Sequence, residues 1–299
     1  MIEIKNLTKG FGELIALNNV SCTIPDGCIF GLVGANGAGK STLLRLLSGI
    51  YKPDFGSITV FAEEVYDNPY AKAHIVFAPD TMSLVNSSAS LKRMAKFYKA
   101  CYKSFSDEKF DKLCKMFNLN KTKRIRSFSK GMIRQAQTIL ALSCNADITL
   151  LDETFDGLDP IVRNAAKKLI YSEVCDRNAT IIITSHSLRE LEDTCDRLAM
   201  LYRGGLVFQS DVNELKTKLF KVQVAFSDDC TKEKFAGLDV VSFTKSGSVA
   251  NLIIRGDKDE TESSIRAMNP VLFELLPLSL EEVFVYEMDS LGYRYDEIM

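Results

Sequence analysis

Nine residues constrain this chain more than any others. GANGAGKST, Gly34 to Thr42, stands directly after Cys28 to Val33, which reads as an apolar strand. Glycines let consecutive backbone N–H groups converge on phosphate oxygens with no Cβ in the way. The helix expected from about Ser41 to Leu47 aims its positive dipole end at the same anion. Strand, glycine loop and helix in that order are the context that GxxxxGK[ST] requires, and together they demand an α/β fold. Gly34, Asn36, Gly37, Ala38, Gly39, Lys40, Ser41 and Thr42 are therefore the candidate nucleotide-binding residues. Lys40 reaches for β- and γ-phosphates, and the Ser41 hydroxyl is a Mg²⁺ ligand.

The pattern around this loop agrees with it. Residues 1–33 read as short strands, with Val20, Cys22 and Ile24 alternating against polar neighbours and Asp26-Gly27 marking a turn. Ser57–Phe61, Ile75–Ala78, Ile148–Leu151, Thr180–Thr184 and Leu198–Tyr202 are further expected strands. Helices are expected over 160–174 and 187–194, the second capped by Ser187 and Glu190. That alternation predicts a mostly parallel sheet. Residues 82–142 differ: Leu91, Met94, Tyr98 and Cys101 fall on one helical face, and no strand is apparent, so this reads as an inserted helical subdomain. The division expected is a nucleotide-binding domain at 1–215 and a small α+β domain at 216–299. The latter has strands near Lys221–Phe226 and Asn251–Arg255, and a helix near 279–288 that opens on a Ser279–Glu282 capping box.

The strand Ile148–Leu151 ends in Asp152 and Glu153. A strand emerging beside the phosphate loop presents Asp152 to Mg²⁺ and leaves Glu153 near the γ-phosphate, where it can orient or deprotonate an attacking water. Hard oxygen donors suit Mg²⁺.

Composition narrows the class of partner. The formal net charge is −2, from 37 basic and 39 acidic residues, which argues against a general nucleic-acid binder. The eight cysteines form no CxxC pair and only two histidines are present, so a zinc cluster is not expected and reduced thiols are. The opening MIEIKNLTKGF lacks a secretory pattern. The longest apolar run is five residues, Leu198–Tyr202, where a membrane span needs about twenty. Any work on a membrane then needs a partner that crosses it.

A phosphate loop and an acidic strand end do not separate kinases, GTPases and transport ATPases. FSKGM, residues 128–132, does: it resembles the LSGGQ signature of ATP-binding-cassette (ABC) ATPases in a variant form, with Lys130 and Met132 replacing the consensus Gly and Gln. Further motifs of that family follow in order. Phe11 matches the aromatic that stacks on adenine. FDGLD, 155–159, resembles the loop that contacts an opposite subunit, with Asp159 as its carboxylate and also a good helix N-cap before Pro160. His186 matches the switch histidine at the γ-phosphate. IVFAPD, 75–80, aligns with the loop that ordinarily supplies a glutamine to Mg²⁺ and the attacking water, and carries Asp80 instead, a candidate metal ligand with Ser41 and Asp152.

The resemblance covers residues 1–210. It implies a P-loop fold with an antiparallel β subdomain and a helical subdomain. It implies an ATPase using ATP and Mg²⁺, with Glu153 and His186 catalytic. Two such subunits, identical or not, would pair head to tail, and Ser129, Lys130 and Gly131 of one would cap the ATP held by the other. The expected partner is a transmembrane permease, and the expected place is the cytoplasmic face of the membrane. LSLEEVFVY, 278–286, resembles the ending of the multidrug, antibiotic and sodium exporter branch, which implies export. Two other readings stand beside this one: an ATP-dependent sensing module with weak hydrolysis, and a soluble ABC ATPase that moves nothing.

Overall fold

The structure is a computed structural model and describes residues 1–80, 89–290 and 292. It divides into two compact units, Met1–Gln209 and Ser210–Met299. The first unit opens with β1 (Ile2–Phe11), β2 (Leu14–Ile24) and β3 (Ile29–Val33), then α1 (Lys40–Leu47), β4 (Phe55–Val60), β5 (Glu63–Glu64), α2 (Pro69–Ala73) and β6 (Ile75–Ala78). Three helices follow, α3 (Leu91–Cys101), α4 (Asp107–Met116) and α5 (Lys130–Ser143). Strand–helix alternation then resumes with β7 (Ile148–Leu151), α6 (Pro160–Arg177), β8 (Thr180–Ser185), α7 (Leu188–Glu192), β9 (Arg197–Tyr202) and β10 (Gly205–Asp211).

The central sheet runs β10-β9-β3-β8-β7-β6, and the pairs β9/β3, β3/β8, β8/β7 and β7/β6 are parallel. Every residue of β3, β7 and β8 is buried. This follows from their composition: a run such as IFGLV of β3 has no polar face to give to water, so it is stable only with both faces covered. The second sheet is antiparallel, β2-β1-β4-β5. Its strands alternate, and Ile2, Ile4, Leu7, Leu17, Val20, Ile58 and Val60 form one core with Phe30, Leu32 and the leucines of α1.

The helical segment is present as α3, α4 and α5, while residues 82–88, expected to open it, lie outside the described residues. Ser90 and Ser106 cap α3 and α4 by accepting the N–H groups of Arg93 and Lys109. The face expected for α3 needs one correction. Leu91 and Met94 are buried with Ala95, but Cys101 is exposed, because the helix ends there and Tyr102 is already extended. On α5 every residue from Ala136 to Ser143 is buried, so amphipathic periodicity gives out. Buried Glu173 of α6 takes Lys109 of α4 at 2.5 Å and Arg177 at 2.9 Å, fastening α4 to the sheet-flanking helix.

The second unit contains α8 (Val212–Lys218), β11 (Leu219–Ala225), β12 (Asp239–Ser246), β13 (Val249–Arg255), α9 (Lys258–Arg266), β14 (Leu272–Leu276) and α10 (Leu280–Ser290). Its sheet, β12-β13-β11-β14, is antiparallel. Phe220, Val222, Val224, Phe235, Leu252 and Ile254 form its core. The capping box forms: Ser279 N donates to Glu282 Oε2 at 2.9 Å, and Glu282 N donates to Ser279 Oγ at 3.2 Å. Among the described residues no helix is long and apolar enough to cross a membrane. All eight cysteines are free thiols, and burial pushes Cys22 up to about 12.

Candidate functional site at the strand ends

The parallel strands bring four sequence-distant loops to one edge. β3 delivers Gly34–Lys40, β7 delivers Asp152 and Glu153, β8 delivers His186, and β6 delivers Asp80. In open parallel sheets this edge, beyond the carboxyl ends of the strands, is where ligands bind.

The loop is shaped for close backbone approach. A Cβ on Gly34 would stand 2.4 Å from the Leu201 carbonyl oxygen, and one on Gly39 2.6 Å from that of Ala16. Gly39 also has φ +106°, which side-chain-bearing residues rarely adopt. Lys40, the first residue of α1, is 4% exposed. Its ammonium donates to the Gly34 carbonyl at 2.6 Å and the Ala35 carbonyl at 3.3 Å, and pairs with Glu153 Oε1 at 3.2 Å.

Opposite Lys40 lies a small acidic network. Ser41 Oγ donates to Asp152 Oδ1 at 3.1 Å, and Thr184 Oγ1 donates to the same oxygen at 2.8 Å. Asp152 is 1% exposed, and among the described residues its Oδ2 meets no hydrogen-bond partner. Burial raises its carboxyl above the usual carboxylate range, against the lowering effect of the two hydroxyls. Glu153 sits at φ +47°, in the left-handed region. Its N–H donates to Thr184 Oγ1 at 2.8 Å, and its carboxylate reaches His186 Nδ1 at 3.0 Å.

The loop faces a cleft of about 310 Å³ lined by Phe11, Leu14, Ile15, Ala16, Asn36–Thr42, Asp80 and Glu153. Phe11 is 43% exposed and braced edge-on by Tyr51, with ring centroids 5.3 Å apart. One end of the cleft is thus an aromatic and aliphatic platform and the other a ring of amides, ammonium and carboxylates. Such a cleft fits a flat apolar group joined to a polyanion.

Ser129, Lys130, Gly131, Asp159 and His186 do not line this cleft. Ser129 caps α5, its Oγ accepting the Met132 N–H at 3.2 Å, and Ser129 and Lys130 are exposed. Asp159 caps α6 through two N–H groups, those of Ile161 and Val162, each at 3.0 Å. Ser187, expected to cap α7, makes no side-chain cap bond. Its own N–H donates to Ser185 Oγ, which in turn donates to Glu190 at 2.7 Å.

Two neighbours of the network were not singled out by sequence. Thr184 looks like one more β-branched strand residue. The available signal is a hydroxyl in a strand expected to be buried on both faces, which needs a partner. Arg45 follows Ser41 by four residues and so shares its face of α1. Its guanidinium lies 4.0 Å from Asp80.

A family model described as "ABC transporter" matches residues 17–156. The ABC transporter ATP-binding protein YtrB of Bacillus subtilis is 31% identical over 285 residues, covering 95% of this chain and 97% of YtrB. The bacitracin transport ATP-binding protein BcrA of Enterococcus faecalis is 30% identical, covering 72% of this chain and 70% of BcrA. Among solved structures, the dimeric cassette MJ0796 with ADP and Pi matches at TM-score 0.64 and 22% identity, over 71% of this chain and 99% of the other. An ATP-binding subunit of an ABC transporter matches at TM-score 0.66 and 23% identity, over 72% of this chain and 92% of the other. At these identities the solved structures carry the fold, which is the ABC ATPase cassette.

Proposed function

This chain belongs to the ABC transporter family as an ATP-binding subunit of a transport system, and from that premise we propose that it hydrolyses Mg-ATP to drive export through a separate transmembrane permease. The polyphosphate lies along Gly34–Thr42, with Lys40 at the β- and γ-phosphates and the base on Phe11. Glu153 orients or deprotonates the attacking water, and His186, hydrogen-bonded to Glu153, fixes that carboxylate and meets the γ-phosphate.

Mg²⁺ fits the residues present. Ser41 and Asp152 supply hard oxygen donors, and the unpartnered, buried Oδ2 of Asp152 is costly unless something cationic faces it. Among the described residues no cluster of three or more His, Cys, Asp or Glu is placed to hold a metal, so Ser41 and Asp152 would share it with oxygens of the nucleotide and water. When bound, the ion neutralises developing charge on the phosphoryl oxygens. The protein's own part is positioning and charge stabilisation by Lys40, the loop amides and Glu153.

The subunits act in pairs, since Ser129, Lys130 and Gly131 lie away from their own cleft and the first two are exposed, as a cap offered to another copy requires. In the pair, Ser129, the Gly131 N–H and the start of α5 address the γ-phosphate of the second chain, and Asp159 lies in the contacting loop. Export is favoured by the branch resemblance of the C-terminal sequence and by similarity to the bacitracin transport protein. The working place is the cytoplasmic face of the membrane, through the permease.

The observation carrying this reading is the convergence at one sheet edge of Lys40 on Glu153 at 3.2 Å and Ser41 on Asp152 at 3.1 Å. Steady ATP turnover by the full chain with its permease tests it. Glu153→Gln is expected to lower turnover by about 10²-fold or more while ATP binding persists. Turnover equal to the parent's removes Glu153 from its role.

A further inference from the structure

The carboxylate at position 80 changes the charge of the site, and the structure supplies a counter-charge for it. Asp80 lines the cleft with Lys40, Ser41 and Glu153. Its backbone is anchored on both sides of the sheet end: Asp152 N donates to the Ala78 carbonyl at 2.9 Å, and buried Gln137 donates to the Pro79 carbonyl at 2.7 Å. Arg45 approaches Asp80 from α1, one turn beyond Ser41, at 4.0 Å. Asp152 is 1% exposed with Oδ2 unpartnered. A polyanion brought to Asp80, Asp152 and Glu153 is repelled unless cations intervene. A neutral amide at position 80 would draw little from a guanidinium, whereas a carboxylate is attracted to it.

We propose that Arg45 is a positioning residue that holds Asp80 toward the divalent cation of Mg-ATP, so that this site presents two carboxylates, Asp152 and Asp80, to the ion. The proposal rests on Mg-ATP being bound at the phosphate loop. Arg45 touches neither nucleotide nor metal; it offsets the charge of Asp80 and fixes where that carboxylate stands. The ion is thereby held more tightly than by Asp152 and Ser41 alone.

The test uses the full chain loaded with ADP and titrated with Mn²⁺, read by electron paramagnetic resonance of the free ion. Asp80→Asn is expected to weaken Mn²⁺ binding about tenfold, the scale on which metal-site partners act, while ADP affinity measured in chelator rises, because one repelling charge is gone. Arg45→Gln is expected to weaken it by a similar factor, to add nothing in the Asp80→Asn background, and to be largely rescued by Arg45→Lys. Parental Mn²⁺ affinity in Asp80→Asn overturns the proposal. So does an Arg45→Gln loss of the same size with and without Asp80. Asp152→Asn separates the two levels: if it loses Mn²⁺ while Asp80→Asn does not, only the second carboxylate falls. If Asp152→Asn binds Mn²⁺ as the parent does, the cleft reading falls and takes this proposal with it.

Discussion

Replacing Thr184 with valine removes one oxygen from the interior and leaves shape and β-branching nearly unchanged. That oxygen serves two partners. It donates to Asp152 Oδ1 at 2.8 Å and accepts from Glu153 N at 2.8 Å, at a side chain 1% exposed. Loss of a hydrogen bond to a buried carboxylate costs about 2 kcal/mol, and stranding a buried N–H costs about 1 kcal/mol more. The sum is about 3 kcal/mol. In a unit of this size each kcal/mol shifts the midpoint by roughly 2–4 °C, so Thr184→Val is expected to unfold about 6–12 °C below the parent. Thr184→Ser keeps the hydroxyl and gives up one buried methyl, at about 1 kcal/mol, or roughly 3 °C. Differential scanning calorimetry of the full chain, without nucleotide, reads the transition of the Met1–Gln209 unit. A valine variant within about 2 °C of the parent, a smaller shift than 1 kcal/mol gives, would refute the two-partner account. A serine variant as unstable as valine would assign the effect to packing instead.

Burial raises the Asp152 carboxyl above its ordinary value of 3.8. The folded state therefore keeps that proton in a window opening near 3.8, and stability falls as pH rises through the raised value. Asp152→Asn, which has nothing to ionise, is expected to gain stability relative to the parent as pH climbs through that window. Urea midpoints measured without metal or nucleotide check this, and a constant difference across pH contradicts it. Phe11→Ala is expected to raise the KM for ATP about tenfold, from roughly 1–2 kcal/mol of lost stacking, with Phe11→Trp close to the parent in the same turnover assay. Ser279→Ala is expected to destabilise the Ser210–Met299 unit by about 1 kcal/mol through loss of the capping box, as a lower urea midpoint for that unit.

Much of the site is legible in sequence because its chemistry sits in contiguous stretches. Gly34–Thr42 carries its own strand, turn and helix signals, and Asp152-Glu153 ends a strand whose four residues are all buried. Thr184 and Arg45 were not legible in the same way. Each matters through a neighbour made by topology, since β8 lies between β3 and β7 and α1 turns Arg45 toward the end of β6. The C-terminal unit is the least legible. Its expected strands correspond to β11 and β13, while β12 and β14 carry no clear sequence signal. In β12 the register shifts between Val240 and Ser242, which breaks the alternation that periodicity depends on. The α3 face failed at Cys101 for a local reason, the end of the helix, which hydrophobic spacing does not encode.

The placement of β8 sets an order on assembly during synthesis. β3 and β7 are not adjacent; each hydrogen-bonds to β8 instead. A nascent chain that has released its glycine loop and its acidic strand end still lacks the slat that joins them, and with it the hydroxyl that seats Asp152. The candidate site therefore cannot close until residues 180–185 have emerged, so a chain halted before that point holds a complete phosphate motif and an unfinished cleft.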